Sequence, residues 1–204
     1  DFQEEPFNLA TNGHRQPGSS FKPFTLITAF ENGFGPSSTF PSAPQTFTVP
    51  NSKGKEIFEV KNYDDIYYGA SDLATATIHS DNSIFAQLGF GSNGLGRKGP
   101  LKVGETAERM GIDGKSFDTN PAMILGGIDP GVTPLEMAYA FSTIARDGKP
   151  GIRPSVAKLD GEEFGVLLTD MPSGDLAAPI AQRIQAAMQF AGVLRLVTVG
   201  HVVA

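Results

Sequence analysis

Two groups of residues in this chain have the types and spacing that covalent chemistry requires. The first is Ser19-Ser20-Phe21-Lys22, which follows Arg15-Gln16-Pro17-Gly18. A serine hydroxyl is a weak nucleophile until a base takes its proton. A lysine amine can be that base only when burial or a neighbouring cation lowers its pKa. Ser19 and Lys22 are three residues apart, which places both on one face of a helix. Phe21, Pro23 and Phe24 supply apolar bulk around the amine. The spacing alone decides nothing, because Ser-x-x-Lys recurs at Ser52/Lys55 and Ser155/Lys158. Ser52/Lys55 falls in a polar, glycine-containing turn. Ser155/Lys158 falls in a predicted strand, where positions i and i+3 face opposite ways. A serine at a helix start also has an ordinary use as a cap.

The second group is Ser80-Asp81-Asn82, and Ser-x-Asn occurs once in the chain. A serine hydroxyl can pass on a proton, and an asparagine amide both donates and accepts. Such a pair could hold a peptide-like substrate and protonate its leaving amine. The same three residue types also cap helices and fill turns.

The elements that must position these groups are legible in outline. Pro17-Gly18 marks a turn. The spacing of Phe24, Ile27 and Phe30 predicts a helix over residues 20–32, with Gly33 as its stop. Residues 34–69, broken by Pro36, Pro41, Pro44 and Pro50, read as a long surface excursion. Its one predicted strand is Glu56–Val60, and Asn62–Asp65 reads as a turn. Ser71-Asp72 starts a helix carrying Leu73, Ala76 and Thr77. It breaks at Ser80–Asn82, and a new helix carries Ile84, Phe85 and Leu88. Glycines 89, 91, 94, 96 and 99 predict a mobile linker, and Glu105–Met110 a short helix closed by Gly111. Thr133-Pro134-Leu135-Glu136 has a capping residue, a first-turn proline and a glutamate at the third position, and so starts a helix. Its expected buried side is Leu135, Ala138, Phe141 and Ala145. Residues 152–170 read as a hairpin. Asp175 opens a last long helix, with a strand to follow.

Composition narrows the function. The 204 residues carry a net charge of −6 and 15 Phe, enough apolar material for a real core. No Lys/Arg cluster of the kind nucleic acids need is present, so no nucleic-acid partner is expected. The chain has no Cys, which excludes disulfides, thiolate metal sites and a cysteine nucleophile. His14, His79 and His201 are isolated in sequence, so neither a metal nor another cofactor is expected. The apolar tail 187–204 is interrupted by Gln189, Arg195 and His201, which favours a soluble helix and strand over a membrane span.

Taken together, the two groups resemble the Ser-x-x-Lys and Ser-Asp-Asn pattern of penicillin-binding proteins and class A β-lactamases. The likeness extends from about Asn8 to Gly148. Asn8-Leu9-Ala10-Thr11 through Phe24 resembles the approach to the active-site serine in bifunctional (class A) penicillin-binding proteins. Thr77–Ser83 with Ala86-Gln87-Leu88-Gly89 is similar to their second motif. Leu125-Gly126-Gly127 and Val132–Ala138 resemble a helix start of the same transpeptidase domain. Pro44-Gln45-Thr46-Phe47 is most like actinobacterial members.

The resemblance implies an α+β fold, an antiparallel sheet flanked by helices. It implies a D,D-transpeptidase of peptidoglycan cross-linking, working on D-Ala-D-Ala stem peptides of a lipid-linked precursor and acylated by β-lactam antibiotics. Ser19 would form the acyl-enzyme, and its backbone N–H would supply half of the oxyanion hole. Lys22 would deprotonate Ser19, Ser80 would protonate the departing D-Ala nitrogen, and Asn82 would hold the substrate amide. The place of work would be the extracytoplasmic face of the bacterial membrane, reached through an anchor outside this sequence.

The family's third motif, Lys-Thr-Gly or Lys-Ser-Gly, is missing. Lys149-Pro150-Gly151 cannot replace it, because proline has no hydroxyl. Residues 1–204 are therefore expected to be a partial transpeptidase domain that does not catalyse alone. The glycosyltransferase domain, the anchor and the third-motif strand would lie elsewhere. A class A β-lactamase is the alternative enzyme, although no Glu with an Asn three residues on follows Ser83. A non-enzymatic penicillin-sensing domain is the alternative outside enzymology.

Overall fold

The computed structural model describes residues 8–51, 54–149, 155–160, 163–167 and 197–200. The chain divides into two compact units. One comprises Arg15–Arg109 and Asp113–Gly131; the other comprises Asp1–His14, Met110–Ile112 and Val132–Ala204.

The first unit is built around two helices, α2 (Lys22–Glu31) and α4 (Asn82–Phe90). Every residue of α4 from Ser83 to Phe90 is buried, the polar Ser83 and Gln87 being hydrogen-bonded there. Ala29, Phe40, Leu73, Ala76, Ile84, Phe85 and Leu88 form one continuous core. The buried face of α2 differs from the expected one. Phe24, Thr25, Thr28 and Ala29 face inward, while Phe30 is 40% exposed. Small residues are needed there because neighbours approach closely. The Thr28 hydroxyl lies 2.7 Å from the Phe24 carbonyl and 2.8 Å from the Thr106 hydroxyl, and Thr25 donates to the Ile124 carbonyl.

The stretch 34–69 is more ordered than its prolines suggest. It supplies β1 (Thr39–Ser42), β2 (Gln45–Asn51) and β3 (Gly54–Val60), and β4 (Gly69–Asp72) closes it. β1 pairs antiparallel with β4, and β2 with β3. Pro41 and Pro50 are tolerated because each ladder has two strands, so every strand is an edge whose other side needs no N–H. The segment is not wholly on the surface. Phe40, Ser42 and Val60 are buried, and Phe47 packs edge-on against Phe90 of α4.

α3 (Leu73–Ile78) is capped by Asp72. The glycines that follow α4 are not a mobile linker. Gly89 lies inside α4, and α5 begins at Gly99 and runs to Arg109, longer than expected. A Cβ on Gly99 would sit 1.6 Å from the Gly89 carbonyl oxygen. Gly91, Gly94 and Gly99 stand where backbone approaches closely, and Gly96 supplies a φ of 73°. The Leu95 N–H is bonded to the Leu88 carbonyl at 2.7 Å, which ties the turn down.

In the second unit, α1 (Leu9–Asn12) is capped by Asn8, and α6 (Pro134–Ala145) carries the expected capping box of Thr133 and Glu136. The buried side of α6 is not the expected one. Ala140 and Thr143 are buried, and Phe141 is 40% exposed. Gly111 lies against the Tyr139 ring, where a Cβ would sit 2.1 Å from a ring carbon. The expected hairpin is present as β5 (Ser155–Asp160) and β6 (Glu163–Leu167). β7 (Val197–Gly200) adds parallel to β6. The last helix expected from Asp175 lies outside the described residues. The fold is thus mixed helix and sheet. Three small sheets, mainly antiparallel, stand among the described residues.

Candidate active site

Ser19 lies in a short 3-10 turn, Gly18–Phe21, that leads directly into α2. Gly18 permits the sharp entry with φ of 54°. The Lys22 N–H donates to the Ser19 carbonyl, so one 3-10 turn separates the two residues. In that geometry positions i and i+3 eclipse, which puts both side chains on one side. The neighbouring serine is otherwise engaged: Ser20 donates to the Pro17 carbonyl at 2.6 Å. Ser19 is exposed.

Lys22 is only 3% exposed. Its Nζ lies 2.6 Å from the Ser80 carbonyl oxygen, 2.9 Å from Ser80 Oγ and 2.7 Å from Asn82 Oδ1. Three acceptors match the three hydrogens of an ammonium. The amine also stands 5.3 Å from the centre of the Phe85 ring, so a ring of α4 supplies apolar surroundings. Burial pulls the Lys22 pKa down from 10.5 to about 8, and the negative charge of Asp81 works against the drop.

Ser80 and Asn82 flank Asp81 in the turn between α3 and α4. Ser80 has φ of 52°, in the left-handed region, which a non-glycine residue occupies only when its surroundings enforce it. Asp81 caps α4 through the Ile84 N–H at 2.9 Å. Burial disfavours its charge. Hydrogen bonds from Ser42, Ser83 and the Ile84 N–H outweigh burial and hold its pKa below the ordinary carboxylate value.

All four expected site residues lie in one unit, and Lys22, Ser80 and Asn82 are in direct contact. Ser19 is tied to Lys22 through the backbone, by the Lys22 N–H to Ser19 carbonyl bond. Ser155/Lys158 lies in β5, and Ser52 falls outside the described residues. Sequence reasoning missed Ser42, which reaches Asp81 from the segment read as a surface excursion, and Asn62, which reaches Ser42 and the Ser83 N–H. Both are ordinary turn and strand-end residues, and no local signal marks them.

The family model for the penicillin binding protein transpeptidase domain matches residues 2–159. The chain belongs to this family. Among curated relatives of this transpeptidase-domain chain, penicillin-binding protein 2D of Bacillus subtilis is 30% identical over 85% of the chain and 23% of its own length. Penicillin-binding protein 1A of Aquifex aeolicus is 30% identical over 85% of the chain and 22% of its own length. The crystal structure of penicillin-binding protein 1A from Haemophilus influenzae superposes with a TM-score of 0.59 at 29% identity, covering 70% of this chain and 20% of that one. Penicillin-binding protein A of M. tuberculosis shares the fold, with a TM-score of 0.51 at 20% identity over 87% of this chain and 43% of that one. The transpeptidase-domain chain thus spans about a quarter or less of the curated relatives it matches. Among its described residues no helix is long and apolar enough to cross a membrane.

Proposed function

We propose that this chain is part of a serine D,D-transpeptidase that cross-links peptidoglycan stem peptides and is acylated by β-lactams. One observation carries the reading: the buried Lys22 amine, its pKa near 8, bonded to both Ser80 and Asn82. A buried lysine one turn along from a serine and bonded to a second hydroxyl fits proton relay to a leaving amine.

In this reading neutral Lys22 takes the proton of Ser19 as Ser19 Oγ bonds to the carbonyl carbon of the D-Ala-D-Ala peptide. The carbonyl electrons move to oxygen and return as the C–N bond breaks. The departing nitrogen takes the Ser80 proton, and Ser80 is reprotonated by Lys22. The acyl group then passes to an amine of a neighbouring stem peptide, with the proton traffic reversed. Asn82 holds the substrate amide; its Oδ1 also fixes Lys22, and its Nδ2 donates to the Lys61 carbonyl. A penicillin enters by the same first step, but its opened ring keeps the amine tethered. Residues 1–204 are a partial domain in this reading. The remaining parts and the anchor place the work at the extracytoplasmic face of the membrane, on a lipid-linked precursor.

The test is labelling of the intact protein with a fluorescent penicillin, followed by peptide mapping by mass spectrometry. A stable adduct on Ser19, absent in Ser19→Ala, is expected. Adduct elsewhere, or none, overturns the reading. Rapid steady-state nitrocefin turnover would assign a β-lactamase instead. Acylation without cross-linking of lipid-linked substrate would assign a penicillin sensor. The 204-residue segment alone is expected to label far more slowly than the intact protein.

A further inference from the structure

We propose that Ser42 and Asn62 are positioning residues, which form with Asp81 a polar clasp that holds Ser80 and Asn82 on Lys22. The inference rests on the transpeptidase reading and extends it to two residues outside both motifs.

Ser80 and Asn82 meet Lys22, Asn82 also donating to the Lys61 carbonyl, whereas Asp81 and Ser83 bond residues of the segment 42–68 and not Lys22. Asp81, Ser83 and Ser42 are 2%, 0% and 5% exposed. One Asp81 oxygen accepts from the Ser83 hydroxyl at 2.7 Å and the Ile84 N–H at 2.9 Å. The other accepts from the Ser42 hydroxyl. Ser42 Oγ in turn accepts from the Tyr68 N–H at 3.2 Å and the Asn62 amide at 3.4 Å, so its single proton and both lone pairs are committed. Asn62 Oδ1 accepts from the Ser83 N–H at 2.9 Å, and Asn62 Nδ2 donates to the Ile66 carbonyl. The Ser83 hydroxyl also accepts from the Ala43 N–H at 3.2 Å.

A helix cap alone would need only one carboxylate oxygen and would tolerate solvent. The second oxygen, buried and bound from β1, needs a further reason. Ser80 supplies it: its left-handed backbone is uphill and persists only if neighbours over-determine it. Without the clasp the turn could relax, and Ser80 Oγ and Asn82 Oδ1 would move away from the amine.

The experiment compares Ser42→Ala, Ser42→Thr and Asn62→Ala in the intact protein. It reads the saturating rate and half-saturating concentration of penicillin acylation at Ser19, and amide hydrogen exchange at Ser83, Ile84 and Leu95. For Ser42→Ala and Asn62→Ala the saturating rate should fall about tenfold or more, with the half-saturating concentration little changed, because misplaced groups slow chemistry. Exchange at Ser83 and Ile84 should quicken while Leu95 keeps its protection. Ser42→Thr, which keeps the hydroxyl, should restore most of the rate. An unchanged rate in both alanine variants, a Thr variant as slow as the Ala one, or exchange that rises uniformly would overturn the clasp. If the unsubstituted protein takes no penicillin on Ser19, the transpeptidase reading falls. The exchange arm then decides alone: selective loosening at Ser83 and Ile84 supports the clasp, and no selective change overturns it.

Discussion

The amine of Lys22 lies 2.9 Å from the hydroxyl oxygen of Ser80, although 58 residues separate them in the chain. This contact turns two ordinary helix-start sequences into one chemical unit. It also gives each residue a role that can be removed separately.

Lys22→Met and Lys22→Arg should both abolish most acylation of Ser19. Positioned general bases contribute about 10²–10⁴-fold, so a loss of that order is expected. Arginine keeps the charge but cannot give up its proton, and it has no spare lone pair. Stopped-flow or gel-based labelling checks this, and an Arg variant acylated at the native rate would remove lysine from the base role.

Acylation should depend on pH with a rising limb centred near 8, since only neutral Lys22 can accept the Ser19 proton. Below that midpoint the rate should fall about tenfold per pH unit. A profile of labelling rate from pH 6 to 10 tests it, and a limb near 10.5 would mean an ordinary exposed lysine.

The same shift has a consequence for stability. The folded state releases the Lys22 proton near pH 8, whereas the unfolded chain holds it to 10.5. Between those values the unfolded state binds more protons, so stability must rise with pH. Relative to Lys22→Met, which cannot titrate, the native protein should gain up to about 3 kcal/mol from pH 8 to 10.5. Urea unfolding of both proteins across that range measures the difference.

Gly126→Ala should strike the nucleophile from behind. The Gly18 N–H donates to the Gly126 carbonyl at 3.2 Å, and a Cβ on Gly126 would lie 2.0 Å from the Gly18 carbonyl oxygen. Gly126 also has φ of 81°, which alanine adopts only with strain of about 1–3 kcal/mol. Lower thermal stability and slower acylation are expected together. An alanine variant with native stability would mean that the 120–127 segment can withdraw from Gly18.

The glycine-rich stretch after α4 should be well protected. The Leu95 amide, bonded to Leu88 at 2.7 Å and 9% exposed, should exchange far more slowly than those of exposed turns. Rapid exchange at Leu95 would restore the reading of a mobile linker.

Local chemistry alone marked much of this molecule. The capping box at Thr133 and Glu136, the break at Ser80–Asn82 and the turn at Pro17-Gly18 are written in a few adjacent residues, and each stands where expected. Burial was less legible. Phe24, Ile27 and Phe30 suggested an apolar face of α2, yet Thr25, Thr28 and Ala29 are the inward neighbours of Phe24. The close approach of other elements there admits only small side chains. The glycines from 89 to 99 misled for the same reason, since flexibility and close packing both call for a residue without a Cβ.

What the sequence determined by itself was a set of local events: where turns start helices, and that Ser19 and Lys22 stand one turn apart. Those follow from i, i+3 geometry and capping, which act within one turn of chain. Only the tertiary structure decided that Lys22 is buried against Phe85, that its proton meets Ser80 and Asn82, that Ser42 reaches Asp81 from β1, and that Asn62 reaches Ser42 from the turn after β3. A lysine's pKa depends on what surrounds it. Those surroundings come from segments tens of residues away, and they exist only once the chain has packed.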